Sequence, residues 1–84
     1  MKLYLISQED KDGYESYDSA VVAAPDEETA RNTDPSDGMQ MTEEDWNRKY
    51  SSWCSDIDYV TVKYLGEAAE DIEQGVIVAS YNAG

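Results

Sequence analysis

Apolar residues fall along this chain in short blocks, each bounded by turn-forming or acidic residues. Lys2-Leu3-Tyr4-Leu5-Ile6-Ser7 is a run of strand length at the start. Glu9-Asp10-Lys11-Asp12-Gly13 follows as a turn, with Asp12-Gly13 its strongest local signal. Ser19-Ala20-Val21-Val22-Ala23-Ala24 is a second strand, stopped by Pro25. The two runs predict an antiparallel hairpin with a long tip. Pro25-Asp26-Glu27-Glu28-Thr29-Ala30-Arg31 opens a helix: proline is tolerated at a helix start, and carboxylates in the first turn complement the positive end of the dipole. Ala30 is its clear inward-facing residue, so the helix is short. Asn32 to Gly38 is a loop by composition.

Thr42-Glu43-Glu44-Asp45 is a second helix start, a threonine cap with Asp45 where glutamate or glutamine is usual. Trp46, Tyr50 and Trp53 follow at spacings of four and three, which puts them on one helical face. That stripe is either part of the core or an exposed ridge that anchors a partner. Ile57 to Leu65 reads as a half-buried strand, with Val60, Val62 and Tyr64 on one side and Tyr59, Thr61 and Lys63 on the other. Gly66 ends it. Glu67 to Gln74 is an acidic connection with room for one helical turn through Ala68, Ala69 and Ile72. Val76 to Tyr81 is nearly all apolar and is expected to lie centrally in a sheet. The order β-β-α-α-β-β predicts an α+β fold: a four-stranded, mostly antiparallel sheet with one or two short helices on one face. Residues 1–84 are expected to form a single domain without a linker or second domain, and no internal repeat is visible.

Charge changes this picture more than composition does. The 84 residues hold 19 acids, 6 basic residues and no histidine, a formal net charge of -13. A nucleic-acid binder needs a basic footprint, and an anionic membrane repels this chain, so both functions are excluded. No apolar run reaches a membrane span, and the N-terminus lacks a signal-peptide layout; a soluble intracellular protein is expected. One cysteine forms no internal disulfide. Such charge, with a mean hydropathy of -0.72, points toward disorder. The 40% hydrophobic and 11% aromatic residues, gathered in blocks, outweigh it and favour a folded domain.

Little in the chain carries chemistry. The Asp10-Lys11-Asp12-Gly13 segment fits no calcium-loop register: with Gly13 at the sixth position Gln8 and Ser19 occupy the end-ligand places, and with Asp10 first, Glu15 stands where glycine must be. Asp56 and Asp58 share a side of the strand and are read as a solvated acidic edge that discourages sheet pairing. Cys54 lies far from its nearest basic residues, Arg48 and Lys49, so it is expected to be a buried structural thiol. No phosphate-cradling loop, nucleophile-with-base pattern or metal-ligand spacing is present. The expectation is a non-enzyme with no cofactor and no metal.

The acids gather in connections and helix starts, and the strand interiors are nearly free of them. Compactness scaling gives a body about 30 Å across, a length over which duplex DNA carries on the order of 18 charges. Thirteen net negatives approach that density. Either they confer solubility alone, or they present a phosphate-like field to a basic groove.

Lys2 to Gln8, Gly13-Tyr14, Tyr17 to Ala24, Trp53 with Ser55-Asp56-Ile57-Asp58, Tyr64-Leu65-Gly66, and Gly75 to Gly84 form a set of segments spread over most of the chain. Together they resemble a family of small, uncharacterised proteins encoded by bacteriophages and prophages. The family has no assigned activity, so no residue role transfers. The resemblance implies a phage origin and a host-cytoplasmic setting. By class analogy it implies an inhibitor of host defence, anti-CRISPR-like, that mimics DNA. The expected partner is a host protein or nucleoprotein complex with a basic groove, with no direct contact to nucleic acid or membrane. The expected partner-binding acids are Asp26, Glu27, Glu28, Glu43, Glu44, Asp45, Glu67, Glu70, Asp71 and Glu73. The alternative is a phage accessory or structural module that binds a protein through its Tyr/Trp surface, with incidental acidity.

Overall fold

A computed structural model describes residues 1–8, 16–46, 53–54 and 56–82. Strands β1 (Lys2–Gln8), β2 (Ser16–Ala24), β3 (Val60–Glu67) and β4 (Gly75–Asn82) form one sheet in the order β3-β1-β2-β4. Every neighbouring pair is antiparallel. With helices α1 (Glu27–Arg31) and α2 (Glu43–Trp46), this is the α+β architecture that the apolar pattern predicts. The β1–β2 hairpin occupies the centre, in the register Tyr4↔Val22 and Ile6↔Ala20. Its predicted tip, with the segment tested as a calcium loop, lies outside the described residues.

Four details depart from the pattern. Strand β4 is an edge, paired only with β2, and not a central strand. An apolar run states how much a strand wants burial but not which neighbours it has. The β1–β2 hairpin already fills the middle, and the Glu67–Gln74 connection carries the chain past it to the far side. Residues Ile57–Tyr59 form a 3₁₀ turn, so β3 begins only at Val60. The Asp56 side chain accepts a hydrogen bond from the Asp58 amide at 2.9 Å, a local partner that competes with sheet pairing. Gly66 does not end β3. One extra residue, Leu65, is accommodated where Leu3 pairs Gly66 and Tyr4 pairs Tyr64, and Gly66 at φ 142° permits the bulge. Between β3 and β4 no helix forms; the connection makes a single turn, with the Ile72 amide bonded to the Ala69 carbonyl at 3.0 Å.

The core lies on one face of the sheet. Tyr4 and Ile6 of β1, Ala20, Val22 and Ala24 of β2, and Val60 of β3 are buried beneath Ala30 of α1, Trp53 and Cys54. Trp53 is fully buried, and Trp46 is half-buried against the same cluster. Both tryptophans therefore serve the core. They do not share a helix, because Trp53 sits in a bend beyond α2, and Tyr50 lies outside the described residues. The Cys54 thiol is buried and donates to the Asp56 carbonyl at 3.3 Å, as a structural cysteine would. Two tyrosine pairs join the centre to the edges: Tyr4 with Tyr64, and Tyr17 with Tyr81, at ring separations of 5.7 and 4.8 Å. Among the described residues no helix is long and apolar enough to cross a membrane.

Candidate functional site

The acids of α1 and α2 are held in place by the same caps that start the helices. Pro25 stands just outside α1, and Asp26 is its N-cap, accepting from the Thr29 amide at 2.8 Å. Bonding to Thr29, through its side chain first and its backbone amide second, holds the Asp26 carboxyl below its ordinary value. Glu27 and Glu28 follow in the first turn, where the dipole favours them. Glu27 pairs with Arg31 at 3.1 Å one turn on. Arg31 also reaches the Val60 carbonyl at 2.6 Å and ties α1 to the start of β3.

At α2 the threonine and aspartate close a reciprocal capping box. The Asp45 amide donates to the Thr42 hydroxyl at 3.2 Å, and the Thr42 amide donates to the Asp45 carboxylate at 2.9 Å. The shorter aspartate side chain thus serves in place of glutamate, and it leaves Glu43 and Glu44 exposed to solvent. The Trp46 indole donates to the Asn32 side chain at 3.0 Å, and the Met41 amide donates to the Asn32 carbonyl at 2.7 Å. These two bonds hold α2 beside the end of α1.

Between the helices lies a groove of about 370 Å³, lined by Glu28 and Asn32, by Met41, Glu43 and Trp46, and by Asp56 and Ile57. Three carboxylates therefore share a concave surface with an indole and a thioether, and among the described residues no lysine or arginine lines it. This arrangement suits a cationic side chain: carboxylates supply charge-assisted acceptors and the indole supplies an aromatic face. Tryptophan and methionine are also adaptable contact surfaces when half-buried.

Of the ten expected partner-binding acids, Glu28 and Glu43 meet in this groove. Asp26, Glu27, Glu44 and Asp45 stand on the same two helix starts. Glu67, Glu70, Asp71 and Glu73 are exposed but do not line the groove. They lie on the connection that leaves the sheet where Lys2 pairs with both Ala24 and Glu67. Asp26, two residues past Ala24, follows from that same end, and Lys2 also lowers its carboxyl slightly. Asp56 is the groove acid that sequence reasoning assigned elsewhere, to a sheet edge. Its link to the groove depends on the 3₁₀ turn, and the Asp-x-Asp spacing of Asp56 and Asp58 was the available signal for that turn.

Comparison with protein-family models, with curated proteins and with solved structures gives no match.

Proposed function

We propose that this chain is a non-enzymatic, anti-CRISPR-like inhibitor that occupies a basic nucleic-acid-binding surface of a host-defence complex. The observation that carries the reading is the groove where Glu28, Glu43 and Asp56 converge on Trp46. In this reading an arginine or lysine of the partner enters the groove, its charge met by the carboxylates and its flat face by the indole. The helix-start acids and the Glu67–Glu73 connection then extend the negative field over the rest of the contact. The density of charge supports the reading. The body spans 35 × 27 × 18 Å and carries a net charge of -13, while duplex DNA of its longest dimension carries about 20 charges. The phage setting follows from the segment resemblance and the acidity together.

The test starts with capture of the partner from infected host cells on the immobilised chain, followed by a nucleic-acid displacement assay on the purified complex. Displacement is expected to weaken steeply with salt. The Glu28→Lys/Glu43→Lys double variant is expected to lose at least about tenfold in affinity while keeping its circular dichroism spectrum. Inhibition that is unchanged at about 0.5 M salt, or in the double variant, would make charge mimicry wrong. The accessory-module reading is favoured by a separate observation, the exposed Tyr59, Leu65, Ile77, Val78 and Tyr81. Loss of capture on substituting exposed tyrosines, with no effect of the carboxylates, selects that reading.

A further inference from the structure

The longest stretch of this chain without a charged residue runs from Gln74 to Gly84. It contains β4, and β4 is an edge strand. An edge strand presents unpaired backbone N–H and C=O groups, and proteins ordinarily guard such edges with charges, prolines or bulges. The opposite edge is guarded in this way: β3 carries Lys63 and Glu67, and Asp56 and Asp58 precede it. On β4 there is no charge and no proline. Its pairing with β2 has two irregularities: the extra residue Ile77 on β4, where Val21 pairs Val78 and Val22 pairs Val76, and the extra residue Asp18 on β2, where Tyr17 pairs Tyr81 and Ser19 pairs Ser80. Gly38 lies against the Gly75–Val76 backbone, with space for a Cβ only 3.3 Å from the Val76 nitrogen. Beyond that contact Ile77, Val78 and Tyr81 are exposed, Val78 at 59%.

We propose that β4 pairs antiparallel, from Ile77 onward, with β4 of a second copy of this chain. Charge selects the occupant. Two bodies of -13 repel wherever carboxylates meet, and β4 is the long surface segment that presents none. Antiparallel pairing about a two-fold axis is self-complementary, since each strand offers the other the same alternating donors and acceptors. It also sets the Glu67–Gln74 connections of the two copies at opposite ends of the seam. At about 3.4 Å per residue they stand some 40 Å apart, several Debye lengths at physiological salt. Parallel pairing would lay them side by side.

The resulting sheet has eight strands, and its apolar side runs on from Leu3, Leu5, Val21 and Val78 of one copy into those of the other. The seam is about 20 Å long and no deeper than the 18 Å thickness of the body. It covers roughly 400 Å² on each copy, about half of a standard interface, so the dimer is weak and forms at high concentration. Salt strengthens it by screening the remaining repulsion. This dependence is opposite in sign to that of binding to a basic partner, so the failure of one proposal is distinguishable from the failure of the other.

The test is sedimentation velocity on the full chain over a wide concentration range up to about 1 mM, at low salt and at about 0.5 M NaCl, where the Debye length is roughly 4 Å. The mass is expected to rise from that of the 9.4 kDa chain toward twice that value, and to rise earlier at high salt. Val78→Glu, at an exposed position, is expected to weaken association at least about tenfold with an unchanged circular dichroism spectrum. Ser80→Glu is a second exposed seam variant with the same expectation. Thr61→Glu adds the same charge on the β3 edge and is expected to weaken association far less. A chain that stays monomeric at high salt and high concentration overturns the proposal. So does association that tightens as salt is removed, or that both seam variants leave intact, or that Thr61→Glu disrupts equally.

Discussion

The two faces of the sheet are built from the same strands and have opposite fates. In β1, Tyr4 and Ile6 are buried while Leu3 and Leu5, one residue away in each case, are half-buried. In β2, Ala20 and Val22 are buried and Val21 is half-buried; Ala23, short and opposite Leu3, is the exception that is fully covered. Hydrophobicity does not separate the faces, since leucine and valine stand on the open one. What separates them is the chain that crosses over: Ala30, Trp53 and Cys54 cover one side, and among the described residues no helix packs on the other. The lesson is that a period-two pattern which is apolar on both sides leaves the choice of core face to the connections.

The largest expected effect of breaking this contrast is at Trp53, the largest fully buried side chain. Trp53→Ala is expected to destabilise the fold by about 3–5 kcal/mol in urea unfolding, a large part of what a domain of this size possesses. A loss under about 1 kcal/mol would mean that the covered face does not depend on it. Next comes a paired comparison within β1. Ile6→Ala is expected to cost about 2–4 kcal/mol and Leu5→Ala about 1 kcal/mol, because Ile6 is fully buried and Leu5 is not. Equal costs would show that the open face is covered in solution, and a cost at Leu5 that grows with protein concentration would place a second copy there.

The smallest effect concerns how the cover is started. Asp26 caps α1, and its carboxyl is held below its ordinary value by Thr29. A depressed carboxylate contributes stability above its unfolded value near 3.8 and loses it as pH falls through the lower folded value. Asp26→Ala is therefore expected to lower the melting temperature at neutral pH, with the difference from the parent chain closing in strong acid. A melting difference that persists unchanged at low pH would mean that the charged cap is not what Asp26 contributes.

The candidate site was partly legible in the chain. Pro25-Asp26-Glu27-Glu28 and Thr42-Glu43-Glu44-Asp45 mark helix starts because their chemistry is local: a side-chain oxygen meets an amide three residues on. Their meeting was not legible. Glu28 faces Glu43 across a groove because Trp46 and Met41 both bond to Asn32, contacts that span the loop from Asn32 to Gly38 and beyond. The Trp46–Tyr50–Trp53 spacing predicts a single helical face; Trp46 closes α2, Trp53 is buried from a bend, both pack on the core, and Tyr50 lies outside the described residues.

By itself the sequence determined the four strands, the two helix starts, the single cysteine's structural role and the placing of nearly all acids outside the strand interiors, Asp18 within β2 being the exception. These follow from short-range rules, in which side-chain period, capping and turn chemistry act over a few residues. Only the tertiary structure decided which face is covered, that Asp56 joins Glu28 and Glu43, and that the apolar strand β4 lies at an edge. Each of those depends on neighbours distant along the chain, because the burial a residue seeks is local chemistry and the partner that supplies it is topology.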